Sequence, residues 1–322
     1  MNKILVTGSS VEDRFFQPLR DSGFSVKNPT QLLSEEELAR ELSDSIGYLL
    51  GGDEVASAPA LKKATKLRVI SFLGVGYESF IDVRAARDLG ITITNTPGTL
   101  TNTVAELTVG QLINARRHLT QYCIAFAKGE TGREEKQYDL AGHQIGIVGL
   151  GAIGTRIAEI LVQGFRSPVS YYSRTQKPRE EQRLGIQYMS LEQVMRTSEA
   201  VVVMVTGNPD TKGLISERLM KLMPRGAILV NTARPDIVDA EGLANCLEAG
   251  LISVAVLDGF YDGPKEIVDR LRPFLLDKLL VTGHIGSLTH DARDAMAQRS
   301  VNSLLNILTG KSDEYVAVRG NR

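Results

Sequence analysis

At 322 residues the chain is long for a single hydrophobic core and implies about two domains. Lys and Arg total 37 against 38 Asp and Glu, so no global positive field invites nucleic acid or an anionic membrane, and the expected partner is a small molecule. Cys123 and Cys246 stand far apart in apolar segments and read as buried reduced thiols. The apolar run after Lys3 is too short for a signal peptide, and no run approaches the roughly 18 apolar residues of a membrane span. Together these features predict a cytoplasmic protein.

Short apolar runs alternate with helical patterns along most of the chain. The first series is "KILVT", "IGYLL", "RVISF" and "ITIT", and the second is "QIGIVGL", "VSYY", "VVVMV", "AILV", "SVAVL" and "LLVTG". Runs apolar on both faces and separated by helices predict parallel sheets covered on both sides. The fold class is therefore α/β, with two doubly wound, Rossmann-like domains that leave room for a cleft between them. Between the series lies a long helix, expected to be capped by Thr103 with Glu106 three residues on, its stripe formed by Ala105, Val109, Leu112 and Ile113. A last helix is expected from Thr289 to Leu308.

The turn "GLGAIG", residues 149–154, follows one strand and opens a helix. Gly149 permits the tight turn, Gly151 lets a pyrophosphate approach the backbone, and Gly154 lets helix and strand pack closely, so the context is that of a dinucleotide site. The next strand ends in Ser173, Arg174 and Thr175, where an acidic residue would bind the ribose 2′-hydroxyl of NAD. A guanidinium flanked by hydroxyls suits a 2′-phosphate instead, so NADP(H) is favoured, with NAD(H) as the other possibility.

Several segments now fall into one pattern: "FLGVGYESFIDVRAARDLGITITNTPG", "TVAEL", "GIVGLGAIG", "MPRGAILVNTAR" followed by "IVDAEGLANCLEAG", and "TGHIGSLT". In order and spacing the chain resembles the D-isomer-specific 2-hydroxyacid dehydrogenases from about residue 66 to 300, and "YYSRT" is most similar to their glyoxylate and hydroxypyruvate reductases. The resemblance implies a substrate domain of residues 1–98 plus 288–322, a cofactor domain of residues 99–287, and a homodimer formed through the latter. It also implies pyrophosphate contacts from Ala152 and Ile153, ribose contacts from Ser173 and Arg174, and Val205 and Thr206 where the family has cysteine and proline. Thr232, Ala233, Asp258 and Gly286 would surround the nicotinamide.

Reduction of a 2-keto acid requires that the carboxylate be held, the carbonyl polarised, a hydride delivered and the oxygen protonated. Arg234, after the strand "AILVN", has the planar fork for substrate oxygens. His284, after "LLVTG", belongs to the residue type that exchanges protons near neutral pH and is the expected general acid. The turn Gly74, Val75 and Gly76 is similar to the family segment whose N–H groups bind the substrate carboxylate, with Leu73 and Tyr77 as pocket walls. The remaining histidines, His118, His143 and His290, look ordinary, and with two scattered cysteines they offer no ligand spacing for a metal.

One catalytic element is missing. The family's glutamate, five residues after the strand-end aspartate, hydrogen-bonds the histidine; counting from Asp258 gives Gly263. Asp262, one residue earlier, is the candidate to replace it, against the plainer reading of a solvated turn residue. Pro235 and Asp236 stand where the family usually has two glycines, and the chain has no tryptophan. The leading expectation is an NAD(P)H-dependent keto-acid reductase; the alternative is a dinucleotide-binding regulatory protein that kept the fold and lost turnover.

Overall fold

The computed structural model describes residues 2–8, 11–29, 31–130 and 136–321. Its strands are β1 (Asn2–Thr7), β2 (Phe24–Lys27), β3 (Ser45–Leu50), β4 (Val69–Phe72), β5 (Thr92–Thr94), β6 (Ile145–Val148), β7 (Val169–Tyr172), β8 (Gln187–Tyr188), β9 (Ala200–Val203), β10 (Ala227–Asn231), β11 (Ile252–Asp258), β12 (Leu279–Thr282) and β13 (Val316–Val318). The chain divides into two units, Met1–Leu100 with Leu288–Arg322, and Thr101–Ser287.

In the first unit the strand order is β13-β5-β4-β3-β1-β2, parallel except for β13, which pairs antiparallel with β5. In the second the order is β12-β11-β10-β9-β6-β7-β8, parallel throughout. Chain direction across this sheet reverses between β6 and β9, and such a reversal opens a ligand crevice at the carboxyl ends of the strands.

Alternation along the strands explains why both faces are covered. On β9 and β10, Val202 and Val230 enter one core cluster while Val201, Val203 and Leu229 enter the cluster on the other face. Successive side chains point to opposite faces, so a strand apolar at every position needs helices on both sides. In the first unit Leu5, Tyr48 and Ile70 form one core and Ile4, Val6, Leu49 and Val69 the other. Full burial of side chains of this size contributes about 1.5–3 kcal/mol each.

The helix His290–Leu308 completes the second of those cores with Ala297, Val301, Leu304 and Leu308, and Thr289 caps it by accepting from Ala292 N at 3.2 Å. The helix between the two series differs from its expected form. It spans Thr101–Arg117, so Thr103 lies inside its first turn rather than capping it, and His118, left-handed at φ +50°, ends it before a second helix Leu119–Ala127. Its stripe is placed as the periodicity requires, with Ala105, Val109 and Leu112 buried and Ile113 packed against them. Cys246 is buried and Cys123 is exposed, both as free thiols. Cys123 was misjudged because the apolar positions of the helix Leu119–Ala127 do not all face the core: Leu119 and Phe126 are exposed with it.

Three strands escaped the sequence. β2 is only partly buried, β8 has two residues, and β13 forms a short antiparallel edge, so none carries a strong apolar signal. Among the described residues no helix is long and apolar enough to cross a membrane.

Candidate active site

In the second unit, parallel pairing carries six loops to one edge of the sheet, after β6, β7, β9, β10, β11 and β12. The turn after β6 is shaped by its glycines. A Cβ on Gly149, whose φ is +108°, would lie 2.5 Å from Met204 O, and one on Gly154 would lie 2.1 Å from Gly149 O. Gly151, the N-cap of the helix Ala152–Glu159, has nothing within 4 Å of its Cβ position. The first and third glycines thus allow close backbone contact, while the middle one opens a space in front of the helix N-terminus. The N–H groups of Ala152 and Ile153 have no intrahelical partner by position, and the cradle fits a pyrophosphate.

Val148 pairs with Tyr172 across β6 and β7, which brings Ser173, Arg174 and Thr175 beside this turn. Ser173 Oγ donates to Thr175 O at 2.6 Å, and Arg174 and Thr175 are exposed. The loop is braced from below: Tyr171 Oη accepts from Lys177 N at 2.7 Å and donates to Glu181 Oε1 at 2.7 Å. Burial, with the Glu181 bond, pushes the Tyr171 phenol up to about 12. On the other flank Val205 is half-buried and Thr206 exposed, its carbonyl accepting from Thr211 Oγ1 at 2.7 Å.

After β10, the buried Asn231 organises the turn. Its Oδ1 accepts from Ala233 N at 3.0 Å and its Nδ2 donates to Arg234 O at 2.8 Å. Arg234 packs its stem over Gly207, where a Cβ would meet Arg234 Cγ at 2.6 Å. Its Nη1 donates to Ala233 O at 3.0 Å and lies 3.5 Å from His284 Nε2. Thr108 Oγ1 gives its proton to Val104 O, so Thr232 is the donor in the 2.6 Å bond between the two threonine hydroxyls. Thr232 is consequently tied to the helix Thr101–Arg117.

His284 is exposed and left-handed at φ +56°, a conformation that costs about 1–3 kcal/mol outside glycine and persists only where its surroundings enforce it. Asp258 enforces it. Buried at the end of β11, its Oδ1 accepts from Thr282 Oγ1 at 2.7 Å and Ile285 N at 2.8 Å, and its Oδ2 from Gly286 N at 2.8 Å. Gly286 must lack a side chain, because a Cβ would lie 2.8 Å from Asp258 Oδ2. Chemically, a guanidinium fork beside an imidazole can orient two oxygens of a small acid and exchange a proton with one of them.

Asp262 does not join this arrangement. It is exposed and, among the described residues, makes no hydrogen bond with His284. Its neighbours Phe260 and Tyr261 pack against the core, and the chain turns Asp262 outward. Gly263 also faces open space, with nothing within 4 Å of its Cβ position. Pro235 fits over Gly259, whose φ is +116° and whose Cβ would stand 3.2 Å from Pro235 Cγ.

In the first unit the turn after β4 is pinned by residues that sequence reasoning passed over. Thr96 N and Oγ1 both donate to Gly74 O, at 2.8 and 3.1 Å, and Asn95 Nδ2 donates to Val75 O at 3.1 Å. A Cβ on Gly74 would strike the Phe72 ring at 2.8 Å. Leu73 is half-buried beside Gly51, and Tyr77 packs against the core. Asn95 and Thr96 were visible as part of "NTPG", and Asn231 as a polar residue closing an apolar strand; neither pattern says what the side chain holds.

A family model described as "D-isomer specific 2-hydroxyacid dehydrogenase, NAD binding domain" matches residues 109–286. The chain belongs to the D-isomer specific 2-hydroxyacid dehydrogenase family. It is 35% identical over 287 residues to a glyoxylate reductase of Pyrococcus furiosus, covering 87% of this chain and 84% of that one. To a glyoxylate/hydroxypyruvate reductase B of Erwinia tasmaniensis it is 32% identical over 270 residues, or 83% of each chain. The solved TT0316 protein of Thermus thermophilus superposes with a TM-score of 0.87 at 30% identity, spanning 98% of this chain and 100% of that one. The protein is thus an oxidoreductase that interconverts 2-keto and 2-hydroxy acids by hydride transfer with a nicotinamide dinucleotide. The alternative of a regulatory protein without turnover is not favoured by these matches.

Proposed function

We propose that this dehydrogenase works as an NADPH-preferring reductase of small 2-keto acids, of which glyoxylate and hydroxypyruvate are the first candidates. The observation that carries the reading is the 3.5 Å approach of Arg234 Nη1 to His284 Nε2 at the sheet edge that also holds the glycine cradle. The exposed Arg174 between Ser173 and Thr175 supports the choice of cofactor, and the names of the curated relatives support the choice of acid.

The bound dinucleotide supplies the hydride. The chain does the rest: residues 149–154 hold the pyrophosphate, Ser173, Arg174 and Thr175 the ribose and its phosphate, and Val205, Thr206, Thr232, Ala233, Asp258 and Gly286 shape the region around the nicotinamide. Arg234 polarises the carbonyl and binds the acid, and His284 delivers the proton to the carbonyl oxygen. The first unit serves as the substrate domain, its Val75 and Gly76 N–H groups taking the carboxylate, and the second as the cofactor domain. A homodimer through the second unit is part of the proposal, supported by Leu119 and Phe126 exposed one helical face apart from the core; a light-scattering mass of one chain would reject it.

The test is an initial-rate panel with NADPH and NADH on glyoxylate, hydroxypyruvate and larger 2-keto acids, repeated with Arg234→Lys. A point charge cannot reproduce the planar fork, so kcat/KM is expected to fall at least about 100-fold with cofactor affinity unchanged. Equal rates in the variant would remove Arg234 from the reaction.

A further inference from the structure

We propose that the second unit carries an anion site, remote from the strand ends described above, that takes a small phosphate-bearing metabolite. It lies at the opposite edge of the sheet, where β10 and β11 begin, in a cavity of about 510 Å³ lined by residues 226–228 and 252–254. That volume is in the range of small-ligand sites. Among the described residues, Arg116, Lys136, Arg225 and Lys278 line it together with Glu199 and Asp277.

Arg116 decides the assignment. It closes the helix Thr101–Arg117 and is 3% exposed, yet among the described residues its Nε and Nη2 find no acceptor. The carboxylate beside it, Glu199, stands 3.8 Å from Nη1, beyond hydrogen-bond reach, and is held by His143 Nδ1 at 2.7 Å. One side of the guanidinium is covered by Tyr138, whose ring centroid is 5.3 Å away. Burial pulls its pKa below the usual arginine range, while Glu199, Tyr138 and Asp139 act in the opposite direction.

A guanidinium does not discharge in a protein, so a buried fork with free donors calls for an anion that accepts several parallel hydrogen bonds. Phosphate does this, and the neighbouring cations fit the same ligand. Arg225 Nη2 donates to Ala249 O at 3.1 Å and Lys278 Nζ to Leu247 O at 3.3 Å, both main-chain carbonyls without formal charge. An arginine that merely stacked on Tyr138 would not need two further cations at the same cavity.

The experiment is thermal denaturation of the full chain titrated with inorganic pyrophosphate, with the dinucleotide at saturation so that the glycine cradle is filled. Wild type is expected to gain melting temperature in a saturable manner. Arg225→Ala with Lys278→Ala should weaken the apparent affinity by at least about tenfold while leaving basal keto-acid reduction unchanged. Arg116→Met should abolish the response. If Arg116→Met fails to fold, the double variant decides, since Arg225 is exposed and Lys278 only half-buried. No response of wild type, or an equal response in the double variant, overturns the site.

Discussion

Asp258 fixes the position of His284 without touching its ring. Both carboxylate oxygens are committed to the segment that carries the histidine, through Thr282, Ile285 and Gly286, which flank the left-handed backbone of His284. Asp258→Asn would set an amide N–H against one of those donors. Removing a buried charged acceptor in this way is expected to lower stability by about 1–3 kcal/mol and kcat by at least about tenfold. Thermal melts with and without dinucleotide, together with steady-state kcat, check this; an unchanged kcat would show that the loop keeps its shape without the carboxylate.

In the proposed NADPH preference, cofactor choice would rest on Arg174. Arg174→Ala should reduce kcat/KM for NADPH by about 10–100-fold and leave NADH nearly unaffected, because only the 2′-phosphate would lose a partner. Initial rates with both cofactors decide it, and a parallel fall with both would assign Arg174 to the adenosine as a whole.

The empty space at Gly263 makes the missing glutamate testable. With nothing within 4 Å of its Cβ position, Gly263→Glu can be accommodated without displacing backbone, and a carboxylate partner for His284 should extend reductive activity toward higher pH. Asp262→Asn should leave the pH profile of kcat/KM where it is, since the exposed Asp262 makes no bond to the histidine. A profile moved by Asp262→Asn and unmoved by Gly263→Glu would reverse this assignment.

If the loop after β7 holds the dinucleotide as proposed, Tyr171 would link cofactor binding to alkaline stability. Its folded pKa, raised to about 12 by burial, exceeds the ordinary value of 10, so its contribution is fully present below pH 10 and is lost as pH rises toward 12. Tyr171→Phe should flatten the loss of stability across that window and, by releasing Lys177 N, raise the KM for the dinucleotide. Melting temperature between pH 9 and 12 for both proteins is the measurement, and curves of identical slope would count against it.

Much of the candidate site's sheet edge was legible because its residues follow strong local signals. Apolar runs end at Val148, Tyr172, Asn231, Asp258 and Thr282, and a parallel sheet necessarily carries all such ends to one side. Less legible were residues whose role is to hold others. Asn231, Thr96 and Thr108 act through hydrogen bonds to partners up to 124 positions away, as in the bond between Thr108 and Thr232, and no local pattern encodes the partner. Arg116 and Arg117 are adjacent and identical in type, and burial alone separates them: Arg116 is buried and Arg117 exposed.

By itself the sequence determined the α/β class, the two strand series, the glycine cradle and the residue types of Arg234 and His284, because periodicity and chain order suffice for these. The tertiary structure decided which carboxylate serves His284. Asp258, buried and doubly committed, holds its backbone, while Asp262 is turned into solvent because Phe260 and Tyr261 beside it pack inward. Side-chain direction in an irregular loop is set by what its neighbours bury, and that is known only once the core around them has formed.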